Sequence, residues 1–187
     1  MSANKVDDLI LNAAENADKM KNVMNKKEAV KYKESYGHEL ETTFKAMLYY
    51  QLIKNGLEYW KISMENSPEA KDNSDIELKR IDIWIDEENV DYLLEVKLVG
   101  VHEKTKGLRR VNNKDGLYGD LLKLTEIVKY FKDESTFGIA IAVYDGHDDS
   151  IDCEYIESKL KPEVKGILTR QVKMMICANG KCEYVKN

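Results

Sequence analysis

Arg80 to Val99, RIDIWIDEENVDYLLEVKLV, is the stretch on which the reading of this chain turns. Ile81, Ile83 and Ile85 alternate with Asp82, Trp84 and Asp86, the period of a strand. Residues 86 to 91 are polar apart from Val90 and break the pattern. Tyr92 to Val99 is then apolar except for Glu95 and Lys97, as in a strand covered on both faces. Charges in such a strand are costly unless something uses them.

The register of the hairpin follows from its loop. A four-residue loop, Glu87 to Val90, sets Asp86 opposite Asp91, Trp84 opposite Leu93 and Asp82 opposite Glu95. Directly opposed side chains have Cβ atoms about 4.5–5.5 Å apart, so Asp82 and Glu95 are expected as neighbours on one face. Lys97, two residues on, shares that face. Two carboxylates at this range repel, and one takes up a proton unless a cation sits between them. Oxygen-rich acidic sites suit Mg²⁺, which takes one or two carboxylates and keeps waters for a phosphate. A lysine beside such an ion can orient the attacking water or offset phosphate charge. An exposed hairpin carrying a cross-strand Glu and Lys is the plainer alternative, but an exposed strand would not be this apolar.

An Asp followed on the next strand by Glu-x-Lys, here Asp82 and then Glu95-Val96-Lys97, resembles the PD-(D/E)xK nuclease superfamily. Ile81 stands where a Pro often precedes the Asp. Upstream, Gly37-His-Glu-Leu-Glu41-Thr-Thr-Phe44, followed by Leu48 and Gly56-Leu57, resembles the start of the GxxExxY family of small PD-(D/E)xK-like proteins. Glu41 and Phe44 fall on that family's Glu and aromatic positions, with Phe for Tyr and His38 where a Gly is expected. The resemblance covers roughly residues 36 to 144. It implies an α/β fold with a mixed central sheet and the αβββαβ restriction-endonuclease-like core. It also implies a divalent-metal-dependent nuclease that uses Mg²⁺ or Mn²⁺ on phosphodiester bonds, DNA being the first expectation. Asp82 and Glu95 would hold the metal, Lys97 would position water, and Glu41 would complete the site from a helix. A catalytically inactive nuclease-like module that binds nucleic acid or protein is the alternative.

The remaining pattern supplies the frame. Residues 4 to 33 read as a helix with Val6, Leu9, Ile10, Ala13, Ala17, Met20 and Met24 on a narrow stripe. That stripe suits packing on the core, or an arm that pairs two copies into a homodimer. A third reading makes this helix the working part of an interaction protein. Residues 35 to 55 form a second helix, with Ser35 as N-cap, Gly56 as its end, and Glu41, Phe44, Leu48, Gln51 and Leu52 along one stripe. A glutamate on such a stripe asks for a partner, unless it only answers the positive end of the helix dipole. Residues 57 to 65 read as the first strand, Asn66 to Asp75 as a polar loop, and a second strand starts near Ile76. Residues 116 to 132 form a helix with Leu117, Leu121, Leu124, Val128 and Phe131 inward, and Phe137 to Tyr144 is an interior strand. Asp120 is expected as a first-turn carboxylate, and Lys123 is expected to point away from the site. A helix over 150 to 160 and strands over 167 to 185 follow. Asn179-Gly180 marks a hairpin that sets Cys177 opposite Cys182, expected as a reduced pair. The chain is thus expected as one domain over 1–187: a helical arm at 1–33, a core at 35–144 and an extension with a C-terminal β-hairpin at 145–187.

Composition bounds the partners. With 43% hydrophobic and 34% charged residues, the chain is globular in type, and 2 Pro and 10 Gly leave little for long linkers. No apolar run approaches the length of a membrane span, and the first residues carry no cationic leader before an apolar core. A cytoplasmic protein with three reduced cysteines and no membrane partner is therefore expected. His102, His147 and Cys153 are too scattered to make a zinc set with the Cys pair. At a net charge of −5, binding nucleic acid requires positive charge gathered in one place. Gly100 to Asp115 is that place, with Lys104, Lys106, Arg109, Arg110 and Lys114 against Glu103 and Asp115. A basic segment following the Glu-x-Lys strand is where a phosphate backbone would be gripped; the alternative is a solvated loop.

Overall fold

The structure is a computed structural model that describes residues 3–28, 37–66, 80–101, 107–132, 134–146 and 148–186. Five helices and seven strands follow in the order α1 (Ala3–Glu28), α2 (Gly37–Lys54), β1 (Ile62–Asn66), β2 (Ile81–Glu87), β3 (Val90–Val101), β4 (Leu108–Arg109), α3 (Leu117–Phe131), β5 (Thr136–Tyr144), α4 (Cys153–Ser158), α5 (Pro162–Lys165), β6 (Val172–Ala178) and β7 (Lys181–Tyr184). They build a mixed α/β fold around one sheet, ordered β1-β2-β3-β5-β6-β7 with β4 paired to β3. β1, β2 and β3 are antiparallel; β3, β5 and β6 run parallel; β7 turns back on β6.

Two apolar cores follow from the two faces. Ile83, Ile85, Tyr92, Leu94, Val96, Ile139 and Ile141 pack under α1 and α2. Leu93, Val99, Ala140, Ala142, Met174 and Ile176 pack under α3, α4 and α5. All nine residues of β5 are buried, the covering expected of a central parallel strand. The crossover β3–α3–β5 places α3 against the small residues Gly138 and Ala140, where the Leu124 side chain would stand 3.0 Å from a Cβ added at Gly138. Helix α2 ends in a Schellman arrangement: Leu57 N–H donates to the Leu52 carbonyl, Gly56 N–H donates to Ile53, and Gly56 takes φ 100°.

Several expectations are refined. The central hairpin has the expected register, with Asp86 opposite Asp91 and Trp84 opposite Leu93, but Glu87 and Val90 also pair, leaving a two-residue turn at Glu88 and Asn89. The first strand is shorter, because residues 59–61 form a 3₁₀ turn before Ile62. Ser35, residues 67–79, His102 and His147 lie outside the described residues. The C-terminal hairpin is no appendage, since β6 extends the central sheet beside β5.

Helix α1 is built into the core: Val6, Leu9, Ile10, Ala13, Ala14 and Ala17 are buried. A buried ion pair seats its far end. Lys21 Nζ lies 2.7 Å from Asp18 Oδ1 and donates to the Tyr144 carbonyl, while Asp18 Oδ2 accepts from Gly180 N–H at 2.7 Å. Intramolecular packing therefore uses Val6, Leu9, Ile10, Ala13 and Ala17 of the stripe, while Met20 is exposed. The expected reduced pair is corrected: Cys177 and Cys182 face each other across the hairpin, Cα atoms 4.1 Å apart, and are joined by a disulfide, with Cys153 buried and free. Among the described residues no helix is long and apolar enough to cross a membrane.

Candidate metal and phosphate site

The site forms where β2 and β3 part. Their ladder runs from Glu87↔Val90 to Ile83↔Leu94 and stops one step short of Asp82 and Glu95. The β1–β2 ladder has a gap at the same level: Met64 pairs with Ile83 and Asn66 with Ile81, while Glu65 has φ 53°. A non-glycine residue in the left-handed region interrupts a strand. The facing of β2 shifts there, so Ile81 lies in the α3 core while Ile83 lies in the α2 core. Asp82 occupies this break, and its carboxylate does the work of a ladder partner by accepting the Val96 N–H at 2.8 Å.

Glu41, Asp82, Glu95 and Lys97 each have charged neighbours here. From α2, Lys45 Nζ reaches Asp82 Oδ1 at 2.6 Å, Glu65 Oε1 at 3.3 Å and Glu41 Oε1 at 3.7 Å. Glu41 also lies 3.7 Å from Lys97 Nζ and accepts the Leu98 N–H at 3.4 Å. From α3, Lys123 Nζ stands 2.6 Å from Glu95 Oε1 and donates to the Arg80 carbonyl at 2.9 Å. Arg80 in turn pairs with Glu65 at 3.0 Å. Glu41, Asp82, Glu95 and Lys97 thus belong to one charged cluster between the two helices. Asp82 and Glu95 are near enough to repel, but no ladder pair sets them opposite each other. Asp82 turns to α2 and Glu95 to α3, because the strands have already separated.

The electrostatics follow from burial. Glu95 is 4% exposed, and burial followed by repulsion from Asp82 pushes its carboxyl up to about 8, with Lys123 pulling the other way. Burial also raises Asp120, against the pull of Lys97 and Lys123. Asp120 is in the first turn of α3, as expected, but also inside the field of the cluster. Glu95 Oε1 is buried against Lys123 Nζ, while Asp120 Oδ2 is buried with no hydrogen-bond partner among the described residues. For Lys45, burial is the largest single cause and lowers the ammonium's pKa, but the carboxylates of Asp82, Glu41 and Glu65 together outweigh it and raise it.

Three residues here escaped the sequence reading. Lys123 was expected to point away, and the structure corrects this. Lys45 carried a signal, since it lies four residues after Glu41, the spacing and order of a favourable helix pair. Glu65 carried none, because its role depends on the break in the strand.

The basic segment is only partly described. Lys104 and Lys106 lie outside the described residues. Arg109 pairs with Gly100 in β4 and its guanidinium lies 3.5 Å from Asp145, so it is a strand residue with a partner. Arg110, with φ 60°, and Lys114 are exposed. Gly100 lies three residues beyond Lys97 on β3, about 10 Å along the strand.

No family model matches the chain, and no curated protein matches it. A solved structure, Pyrococcus furiosus SfsA in complex with Ca2+, is similar at 11% identity over 78% of this chain, with a TM-score of 0.37. The chain spans 63% of that protein's length, and a likeness this slight carries no argument about function.

Proposed function

We propose that this chain is a divalent-metal-dependent nuclease of the PD-(D/E)xK type, acting on phosphodiester bonds in DNA. One observation carries the reading: Glu41, Asp82, Glu95 and Lys97 belong to one charged cluster at the break between β2 and β3. The succession α2-β1-β2-β3-α3-β5, with the short β4 between β3 and α3, supports it.

The residues fit a hard cation in type. Their donors are carboxylate oxygens, and Mg²⁺ or Mn²⁺ would need only one or two of them, with waters for the rest. Among the described residues no three acidic, imidazole or thiol groups are placed to hold a metal ion together, so waters would have to complete the coordination. Asp82 and Glu95 would hold the ion, and Glu41 would reach it through water. When bound, the ion supplies charge neutralisation of the phosphate and a more acidic water. Lys97, about a quarter exposed and held by Glu41, is free enough to orient a water or meet a phosphate oxygen. Asp82 also tethers β3 through Val96 N–H, so its geometry is coupled to that of Glu95 and Lys97. Arg110 and Lys114, with the neighbouring basic residues, would grip the backbone of the nucleic acid.

A second reading has its own support. Lys45 and Lys123 already occupy Asp82 and Glu95, as they would in a nuclease-like module that binds nucleic acid or protein without cutting it. Calorimetry with Mn²⁺ on the wild type and Asp82→Asn separates the two. The nuclease reading expects binding that the variant loses; equal affinity in both proteins would sink it.

A further inference from the structure

We propose that Lys45 and Lys123, one from each helix flanking the sheet, are tethered counter-ions that a divalent cation must displace to reach Asp82 and Glu95. The inference rests on the metal-dependent reading above and names what controls metal entry.

The geometry is that of a cation site filled by the protein's own ammonium groups. Three carboxylates surround Lys45 Nζ, with Asp82 at 2.6 Å, Glu65 at 3.3 Å and Glu41 at 3.7 Å. Lys123 Nζ takes Glu95 at 2.6 Å from the opposite layer. The lysines therefore hold the two chief ligands from two directions and draw them towards different helices. Like charges gathered in one place need a counter-charge, and the lysines supply it to whichever of these carboxylates are ionised in the metal-free protein. A divalent ion bonded to the same oxygens would lie within a few ångströms of both ammonium groups. The repulsion is strong in a site from which water is largely excluded, so ion and lysines compete for the same carboxylates.

Lysine suits this role better than arginine. Its ammonium is a compact, strongly hydrated charge on a flexible four-carbon stem, able to leave for water when a stronger cation arrives. Arginine would make a planar, forked contact that is harder to displace. Glu95, 4% exposed, has the Lys123 ammonium 2.6 Å from Oε1, so an ion that takes this oxygen must take it from the lysine.

The test measures metal binding rather than activity. Mn²⁺ affinity by calorimetry and Mn²⁺-induced thermal shift are measured for the wild type, Lys45→Met, Lys123→Met and Lys45→Arg. Methionine keeps the unbranched apolar stem and removes the charge. Each methionine variant is expected to bind Mn²⁺ about tenfold more tightly or better, equivalent to about 1.4 kcal/mol. Each should also melt lower without metal and gain more from Mn²⁺ than the wild type does. Lys45→Arg should bind no more tightly than the wild type. Methionine variants that bind no more tightly than a metal-binding wild type overturn the lysine role and leave the metal reading standing. Absence of binding in all four proteins overturns both. Binding in the methionine variants alone supports the displacement outright. Where Lys45→Met does not fold, Lys45→Gln, which keeps a donor towards Asp82, replaces it.

Discussion

Replacing Glu95 with Gln tests the electrostatics of the site in the metal-free protein. In the folded chain the carboxyl is pushed from an ordinary 4.5 up to about 8 by burial and by Asp82. Between those values the folded chain keeps a proton that the unfolded chain releases. Its contribution to stability is therefore complete below about 4.5 and is lost as pH rises through about 8. The interval corresponds to a ceiling of about 5 kcal/mol. Water entering around the ionised group lowers that ceiling, and a loss of about 2 kcal/mol or more is expected. Asp120, also raised by burial, adds to the fall in the same direction. Glu95→Gln keeps the size and removes the titration, so its stability should vary less with pH and exceed that of the wild type on the alkaline side. Urea unfolding with a chelator, followed from about pH 5 to about pH 9, gives the difference curve between the two proteins. Added Mn²⁺ should reduce the alkaline loss in the wild type alone, because the metal favours the ionised carboxylate. A flat difference curve would refute the reasoning, since Glu95 would then titrate as a solvated carboxylate.

Two further predictions concern function. Glu41→Gln removes the charge that faces Lys97 and Lys45 while preserving its size; it should leave the circular dichroism unchanged and slow cleavage at least about tenfold, roughly 1.4 kcal/mol of barrier. Charge-neutral substitutions at Lys104, Lys106, Arg110 and Lys114 should weaken DNA binding and reduce the slope of log K against log salt by about 0.9 for each lost contact. Arg109, already paired with Asp145, should contribute less than these, and an unchanged slope across the set would make the segment a solvated loop.

The hairpin was legible because its information is local. Ile83, Trp84 and Ile85 alternate, the run from Tyr92 to Val99 can only be buried, and one register satisfies both. Gly56 and Asn179-Gly180 marked a helix end and a turn because both need positive φ. The site's lysines were less legible. Lys123 adjoins the buried Leu121 and Leu124 on α3, a boundary position where a long charged side chain ordinarily runs into water. Its inward course depends on how α3 meets β3, which no local pattern encodes. The turn of Glu65 into the left-handed region and the separation of β2 from β3 are likewise tertiary events. They send Asp82 and Glu95 to different helices, whereas a regular ladder would have set them side by side. Lys21 and Asp18 lie off the apolar stripe read for α1, and only the closure of α1 onto β5 and the β6–β7 turn makes them buried partners.

Metal-dependent cleavage of plasmid DNA, compared between the wild type and Asp82→Asn, tests the central claim most directly. Asparagine keeps an acceptor for Val96 N–H, so the break between β2 and β3 should hold, which circular dichroism and thermal unfolding can check. The wild type should cleave with Mg²⁺ or Mn²⁺ and stop with a chelator. The variant should lose at least about a hundredfold in rate, roughly 2.7 kcal/mol of barrier. A folded wild type that leaves the plasmid intact with either ion, or an Asp82→Asn variant that cuts at the wild-type rate, would contradict it.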